Sequence, residues 1–141
     1  MKPWVVQAII SMLFAGVTTV IAKQGLIGIS AEMGIALRAC FVFFFMLGFV
    51  LLTMPFKEFS TVQTSNLFWL GISSFTTTAS WIYYYRALKA GDIATVALID
   101  KGSVVIAIVL AWIFFKEVIT LRIALGSSLI LSGLLIISKK S

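Results

Sequence analysis

The stretch that decides the fold is residues 81–117, WIYYYRALKAGDIATVALIDKGSVVIAIVLAWIFFKE. It contains the end of one apolar segment, a short basic turn and the whole of the next apolar segment. The second segment carries Asp100 and Lys101 side by side in an otherwise mostly apolar run. An acid and a base in such surroundings are costly unless each finds a partner or water. These two residues are therefore the first place to look for a function.

The composition of the whole chain indicates an integral membrane protein. Of its 141 residues, 61% are hydrophobic, which is more apolar surface than a soluble domain of this size can bury. There is no histidine, and Cys40 is the single cysteine, which excludes an intrachain disulfide, a Cys/His zinc site and a histidine-based catalytic centre. The net charge of +6 comes from basic residues spread singly along segment ends. This spread is typical of membrane flanks, so we expect a lipid bilayer as partner, no nucleic acid and no cofactor.

Five apolar segments, at approximately residues 4–22, 34–54, 67–85, 93–115 and 121–138, are each long enough to cross a bilayer as a helix. Alternation with a period of two is absent, which excludes a closed barrel. The fold class predicted is an all-α membrane protein with five transmembrane helices, in a single domain over residues 1–141. Gln7 and Ser11 inside the first segment favour a retained helix over a cleaved signal peptide. We expect Pro55 to end the second helix, and Asp92 and Thr120 to cap the fourth and fifth.

Three of the predicted helices carry their polar residues on one face. These faces are Gln7, Ser11 and Thr18; Ser73, Thr77, Ser80 and Tyr84; and Asp100 and Ser103 with Ala107 and Ala111. Serine and threonine can simply join helices, and for any one hydroxyl that is the commoner explanation. Three such faces, one with a charge, favour a shared interior cavity. Its candidate substrate-binding residues are Gln7, Ser11, Thr77, Tyr84, Asp100, Lys101 and Ser103, together with Arg38.

Arg38 lies near the start of the second helix, before a run rich in phenylalanine from Phe41 to Phe49. The arginine either extends to the nearby interface or faces a cavity, and the sequence favours neither. The phenylalanines are interpreted as lipid-facing or packing residues. The aromatic residues at the end of the third helix are typical of an interfacial belt, with Tyr84 set apart by its place on the hydroxyl face.

Asp100 and Lys101 are separated by about 100° around their helix, so we expect them not to pair with each other. Each lies roughly 12 Å into the fourth segment at 1.5 Å per residue. One interpretation is structural, with Arg38 as the partner of Asp100. The other is a solute or proton site. In the fifth helix, Gly126 and Gly133 predict a close helix contact, either within the subunit or between subunits as a dimer contact.

The chain resembles one EamA-type domain of the drug/metabolite transporter superfamily over its whole length, most clearly over residues 69–137. The residues that carry the resemblance are Tyr84-Tyr85-Arg86-Ala87-Leu88, Gly91, Val96, Asp100-Lys101, Ser103, Phe115-Lys116-Glu117, Gly126, Leu129-Ile130 and Gly133, with weaker matches at Lys23, Gly25 and Arg38. Family members often have proline where Leu98 stands and glycine where Lys116 stands. These departures predict an unkinked fourth helix and a second charge beside Glu117.

The resemblance implies a dimer. Typical members have ten helices in two five-helix repeats of opposite orientation around a central cavity, and this chain supplies one repeat. The small multidrug resistance proteins are similar half-size relatives that work as dimers. They use a glutamate in the first helix, and the first helix here has no acid.

The flanking charges are nearly balanced, which favours insertion in both orientations. With alternating spans, four basic residues lie on one side and five on the other: Lys2, Lys57, Lys116 and Arg122 against Lys23, Arg86, Lys89, Lys139 and Lys140. Antiparallel pairing of identical chains would supply the inverted repeats that alternating access requires.

The function predicted is a secondary transporter of small metabolites or drugs, multi-pass in the cytoplasmic (inner) membrane, working by alternating access as an antiparallel homodimer or with a related half-size partner. The alternatives are a non-transporting subunit of a membrane hetero-oligomer and a lipid-linked-sugar flippase. A membrane enzyme has the least support, because no nucleophile–base pair or metal cluster is visible in the sequence.

Overall fold

A computed structural model describes residues 2–138, and all regular elements in that range are helical. The α-helices are α1 (Pro3–Gly25), α2 (Ala31–Thr53), α3 (Thr64–Ala90), α4 (Ile93–Asp100), α5 (Ser103–Phe115) and α6 (Leu121–Ser138), with a 3₁₀ helix at Phe56–Thr61. The described residues divide between Ala90 and Gly91 into two compact units. The first holds α1 to α3, and the second holds α4 to α6.

Three stretches of the described chain are long and apolar enough to cross a membrane: Pro3–Gly25, Ala31–Thr53 and Ile93–Phe115. Leu121–Ile137 is apolar but shorter. The most apolar windows of α1 and α2 are 0% buried, so lipid rather than a protein core accommodates their side chains. These helices confirm the predicted all-α membrane protein. Helix α3 is long enough to cross a membrane, but it is rich in serine and threonine and is not among these three stretches.

Local signals set the ends of the helices in the first unit. The hydroxyl of Ser30 accepts a hydrogen bond from the backbone N–H of Met33 and caps α2, and Pro55 follows its C-terminus as predicted. Helix α3 was predicted to end at Tyr85 but continues to Ala90. The turn is expected over residues 87–92 but is confined to Gly91 and Asp92, because Ala, Leu and Lys are all strong helix formers and the first helix breaker is Gly91.

The buried core of the first unit lies where α1 ends, α2 begins and α3 ends. It consists of Leu26, Ala31, Ile35, Tyr85 and Leu88, with Leu88 at 0% exposure. A Cβ added to Gly34 would overlap the side chain of Leu26 and stand 3.6 Å from Cδ1 of Tyr85. Glycine at this position therefore lets the three chain segments approach closely.

Two lysines cap the helix ends around this core. The Lys23 ammonium donates to the carbonyl of Leu88 and, at 3.4 Å, to that of Lys89, near the end of α3. The Lys89 ammonium donates to the carbonyl of Ile29 and, at 3.4 Å, to that of Leu26, just beyond α1. Lys23 thus satisfies carbonyls at the C-terminal end of α3, where positive charge is favoured, and Lys89 satisfies carbonyls of the loop between α1 and α2.

The second unit carries a break in its longest apolar stretch. Helix α4 ends at Asp100 and α5 begins at Ser103. Between them, the N–H groups of Gly102, Val104 and Val105 donate to the carbonyls three residues earlier, at 2.9, 3.1 and 3.0 Å. This bonding is of the 3₁₀ type, so the prediction of one uninterrupted fourth helix was wrong.

Close approach of α6 accompanies the break. A Cβ on Gly102 would stand 3.0 Å from Cδ1 of Leu134 and 3.0 Å from the carbonyl oxygen of Ile99. The predicted caps on either side are confirmed. The carboxylate of Asp92 accepts from the N–H of Thr95 at 2.8 Å, and the hydroxyl of Thr120 accepts from the N–H of Ile123 at 3.4 Å.

Lys116 ends α5 in the left-handed region, with φ 53° and ψ 31°. Its N–H and that of Glu117 both point to the carbonyl of Ala111, the latter at 3.4 Å. Such a cap is most easily made by glycine, and another residue there costs about 1–2 kcal/mol. Lys116 therefore stands in a backbone conformation that glycine adopts more easily.

Candidate functional site

A cavity of about 590 Å³ lies in the first unit, between the C-terminal half of α1 and the N-terminal half of α2. Thr18, Arg38 and Tyr85 supply its polar groups, and the remaining lining residues are apolar or glycine. The volume is within the range of about 300–1,000 Å³ that is usual for small-molecule sites. A mostly apolar wall with a few polar groups is also typical of such sites.

The Arg38 side chain is held against α3. Its Nη1 donates to the hydroxyl of Tyr85 at 3.3 Å, and its Cζ lies 4.5 Å from the centroid of the Trp81 ring and 5.8 Å from that of Tyr85. Cation–π contacts of this kind fix the plane of a guanidinium. The arginine is partly buried in this arrangement, and it contacts α3 rather than extending along its own helix.

One face of α2 forms the cavity wall. Gly34, Arg38, Phe41 and Phe45 follow one another at helical spacing and all line the cavity. The rings of Phe41 and Phe45 are stacked, with centroids 6.4 Å apart and an angle of 23° between their planes. Phe41 and Phe45 are 61% and 73% exposed, which agrees with their interpretation as lipid-facing residues, and the sequence analysis did not assign them to a cavity.

The two neighbouring tyrosines of α3 have different roles. Tyr84, the predicted candidate, is not in the cavity wall, and its hydroxyl lies 2.9 Å from Oγ1 of Thr19, which joins α3 to α1. Tyr85 is only 3% exposed and lines the cavity. Sequence reasoning missed Tyr85 and Trp81, which share a helix face at i and i+4.

The other candidates of the first unit do not line this cavity. Gln7, Ser11 and Thr77 are exposed on their helices. The Thr77 hydroxyl donates at 2.9 Å to the carbonyl of Ser73 in its own helix. Of the predicted substrate-binding residues in residues 2–90, the structure therefore places Arg38 alone in the cavity wall.

In the second unit, Asp100 and Lys101 lie at the 3₁₀ break. Oδ2 of Asp100 is 3.8 Å from Nζ of Lys101, so the expectation that they would not pair was wrong. A lysine side chain is long and flexible enough to turn back, and the angle between the two Cβ atoms does not keep the charged ends apart. Their side chains are 40% and 57% exposed, respectively, which makes the ion pair a weak one.

The expected pair of Arg38 with Asp100 stays a prediction, because the two residues belong to different units. In the first unit, Arg86 pairs with Glu32, with Nε 2.8 Å from Oε1. Ser103 is exposed at the start of α5, three residues after Asp100. Within residues 2–138, no three His, Cys, Asp or Glu side chains come together in a way that could hold a metal ion.

A second cavity of about 510 Å³ lies within the second unit, and Lys101 and Gly133 both line it. The rest of its wall is aliphatic. A Cβ added to Gly126 or Gly133 would meet no atom within 4 Å. These glycines are thus not packed against a neighbouring helix in the described chain, and their role as a dimer contact stays a prediction.

The comparisons with known proteins agree with the features above. The model of the EamA-like transporter family matches residues 2–139. A protein of a Sinorhizobium species, named as an uncharacterized transporter in the cobO 3' region, is 32% identical over 137 residues, which are 97% of each chain. No solved structure matches. The match over nearly the whole length confirms the resemblance read from the sequence, and the chain belongs to the EamA-like transporter family.

Proposed function

We propose that the protein carries a small metabolite or drug-like solute across the cytoplasmic membrane by alternating access, as an antiparallel dimer. The family and the apolar helices make it a membrane transporter in general terms. The observation that supports a solute site is the cavity around Arg38, with its aromatic and aliphatic walls.

Five membrane spans require that α3 crosses the bilayer in spite of its polar residues. Its hydroxyls support this, because several donate to carbonyls of the same helix. Ser74 donates to Leu70, Thr76 and Thr77 to Ser73, and Thr78 to Ser74, at 2.8–2.9 Å. Hydroxyls satisfied in this way do not need water or a partner helix, so lipid can surround them at little cost.

Dimerisation is supported by the size of the Sinorhizobium relative and by the geometry that alternating access requires. The relative from Sinorhizobium matches over 97% of its own length, so it corresponds to one such domain as well. Alternating access around a central site is commonly built from two repeats of opposite orientation. One repeat can reach that arrangement by pairing with an inverted copy, and the nearly balanced flanking charges favour both orientations.

Dual topology is the first expectation of this proposal. In a Cys40→Ser background, a single cysteine introduced as Lys57→Cys would report the orientation of the exposed segment after α2. We expect a membrane-impermeant maleimide to label roughly half of the molecules in intact cells, because both orientations are needed for an inverted pair. Permeabilised cells should give complete labelling.

The control for orientation is a protein of known single topology carrying one exposed cysteine on the cytoplasmic side. It should stay unlabelled in intact cells and be labelled after permeabilisation. If the Lys57→Cys molecules behave uniformly as one population, all labelled or none, the antiparallel homodimer is contradicted. An inverted partner of a different sequence, or a non-transporting subunit, would then be the better proposal.

A contact through α6 is the second expectation. We propose that Gly126 and Gly133 form the dimer contact, because a small-residue face lets helices approach closely. Gly126→Leu or Gly133→Leu should fill that face and reduce the dimer fraction, measured by cross-linking in lipid. Gly71→Leu is the matched control, since a Cβ there also meets nothing within 4 Å. If Gly126→Leu and Gly133→Leu leave the same dimer fraction as the control Gly71→Leu, this contact is contradicted.

A further inference from the structure

We propose that the cavity around Arg38 binds an organic anion, with the negative group on the guanidinium and a flat apolar body along Phe41 and Phe45. This inference rests on the proposed function and names the class of solute that it would carry. It is drawn from the charge, the hydrogen-bonding capacity and the wall of the cavity.

The charge of the cavity is positive and comes from Arg38. Arg38 is the one lining residue with a charged side chain, and its contacts within the first unit are with Tyr85 and Trp81 rather than with a carboxylate. An arginine between apolar helices without a counter-charge is costly. A bound anion removes that cost. The attraction between the anion and the guanidinium is also stronger between apolar helices than in water.

Most of the N–H donors of Arg38 are available to a ligand. A guanidinium has five N–H donors, and Tyr85 accepts one of them, so four are left. Trp81 covers the guanidinium, with its ring centroid 4.5 Å from Cζ, and holds it in place. The edge of a fixed guanidinium matches the two oxygens of a carboxylate, sulfonate or phosphate group.

The wall of the cavity determines the remainder of the ligand. The volume of about 590 Å³ is far larger than an inorganic ion requires. The stacked rings of Phe41 and Phe45 form one side, and aliphatic residues such as Ile21 and Leu37 form others. An aromatic or aliphatic body fits these surfaces, and a highly hydrated anion does not.

The same geometry disfavours organic cations. The ring faces that could bind a cation near Arg38 are those of Trp81 and Tyr85, and the guanidinium already lies over both. A second positive group in the cavity would be repelled by the first. The cavity therefore selects by charge, against the cations that a purely aromatic site would accept.

Three probes of similar size test this selection on the full chain in lipid nanodiscs. They are benzenesulfonate, which is negative, benzenesulfonamide, which is neutral, and benzyltrimethylammonium, which is positive. Binding is measured by titration calorimetry at neutral pH. We expect saturable binding of benzenesulfonate, and binding of the other two that is weaker by about tenfold or more, since a charge-assisted pair is lost.

Variants assign the binding to Arg38. Arg38→Gln should weaken benzenesulfonate binding by about tenfold or more, and Arg38→Lys should weaken it less because the charge stays while the paired donors are lost. Arg122→Gln removes an arginine that is not in the cavity wall and should leave binding unchanged. Preference for the cation or the neutral probe in the wild-type protein would overturn the inference without reference to any variant. So would wild-type affinity in a folded Arg38→Gln protein.

A counterflow assay in proteoliposomes separates this inference from the proposed function. Binding of benzenesulfonate that depends on Arg38, without counterflow of it, would contradict transport and leave the anion site in place. Counterflow of benzyltrimethylammonium without benzenesulfonate binding would leave transport in place and overturn the anion site. Counterflow of benzenesulfonate that is lost in Arg38→Gln supports both.

Discussion

Replacing Leu88 with alanine should lower the free energy of unfolding by about 2 kcal/mol, the lower end of the range for a buried leucine. Leu88 has 0% exposure, and it belongs to the core where α1, α2 and α3 meet. Lipid is as apolar as leucine, so the loss comes mainly from the cavity and the missing packing contacts. Reversible unfolding in mixed micelles of increasing denaturing-detergent content would measure it.

The matched control is Leu67→Ala in the same helix. Leu67 is 64% exposed, so its truncation should change the free energy of unfolding by about 0.5 kcal/mol or less. The comparison removes the effect of helix propensity, since both changes are leucine to alanine within α3. Equal effects at the two positions would mean that the end of the unit around Leu88 does not form the core described.

Replacing Asp100 with asparagine should reduce solute transport by about tenfold or more, which corresponds to about 1.4 kcal/mol or more in the barrier. The fold should be kept, because the ion pair of Asp100 with Lys101 is half-exposed and 3.8 Å long. Such pairs contribute about 0–1 kcal/mol to stability. The expected loss of transport follows from the interpretation of Asp100 as part of a solute or proton site, because an ionisable side chain in a membrane segment is costly and usually has a function.

Uptake into proteoliposomes and unfolding of the same preparation should be measured together for Asp100→Asn. Glu58→Gln, in the exposed 3₁₀ helix, makes the same chemical change outside the apolar stretches and should leave both quantities unchanged. A large loss of stability in Asp100→Asn would assign the acid a structural role. Wild-type uptake together with wild-type stability would contradict both roles.

The features that depend on neighbouring residues in the chain could be predicted from the sequence. Asp92 caps α4 through a bond to an N–H three residues away, and Pro55 ends α2 because it cannot donate to the preceding turn. The apolar segments likewise identify membrane helices by length and composition alone. The family could be recognised for the same reason, since its motifs are local.

The features that depend on contacts between helices could not be predicted from the sequence. Whether Arg38 would extend to an interface or fold against α3 is decided by Trp81 and Tyr85, more than forty positions away in the chain. The sequence placed Tyr84 on the polar face and gave no reason to prefer Tyr85, because three adjacent tyrosines point in different directions around a helix. Gly102 at the interruption similarly lies close to Leu134 of α6, a contact that its neighbours in the chain do not reveal.

The 3₁₀ turn between α4 and α5 sets the direction of Asp100 relative to α5. A residue turns by about 120° in a 3₁₀ helix and by about 100° in an α-helix, and it rises about 2.0 Å instead of 1.5 Å. Across Lys101 and Gly102, Asp100 is therefore turned by roughly 40° and lies about 1 Å farther from α5 than it would if both residues were α-helical. The carboxylate thus faces a different side of the segment from the one that a continuous α-helix would give it.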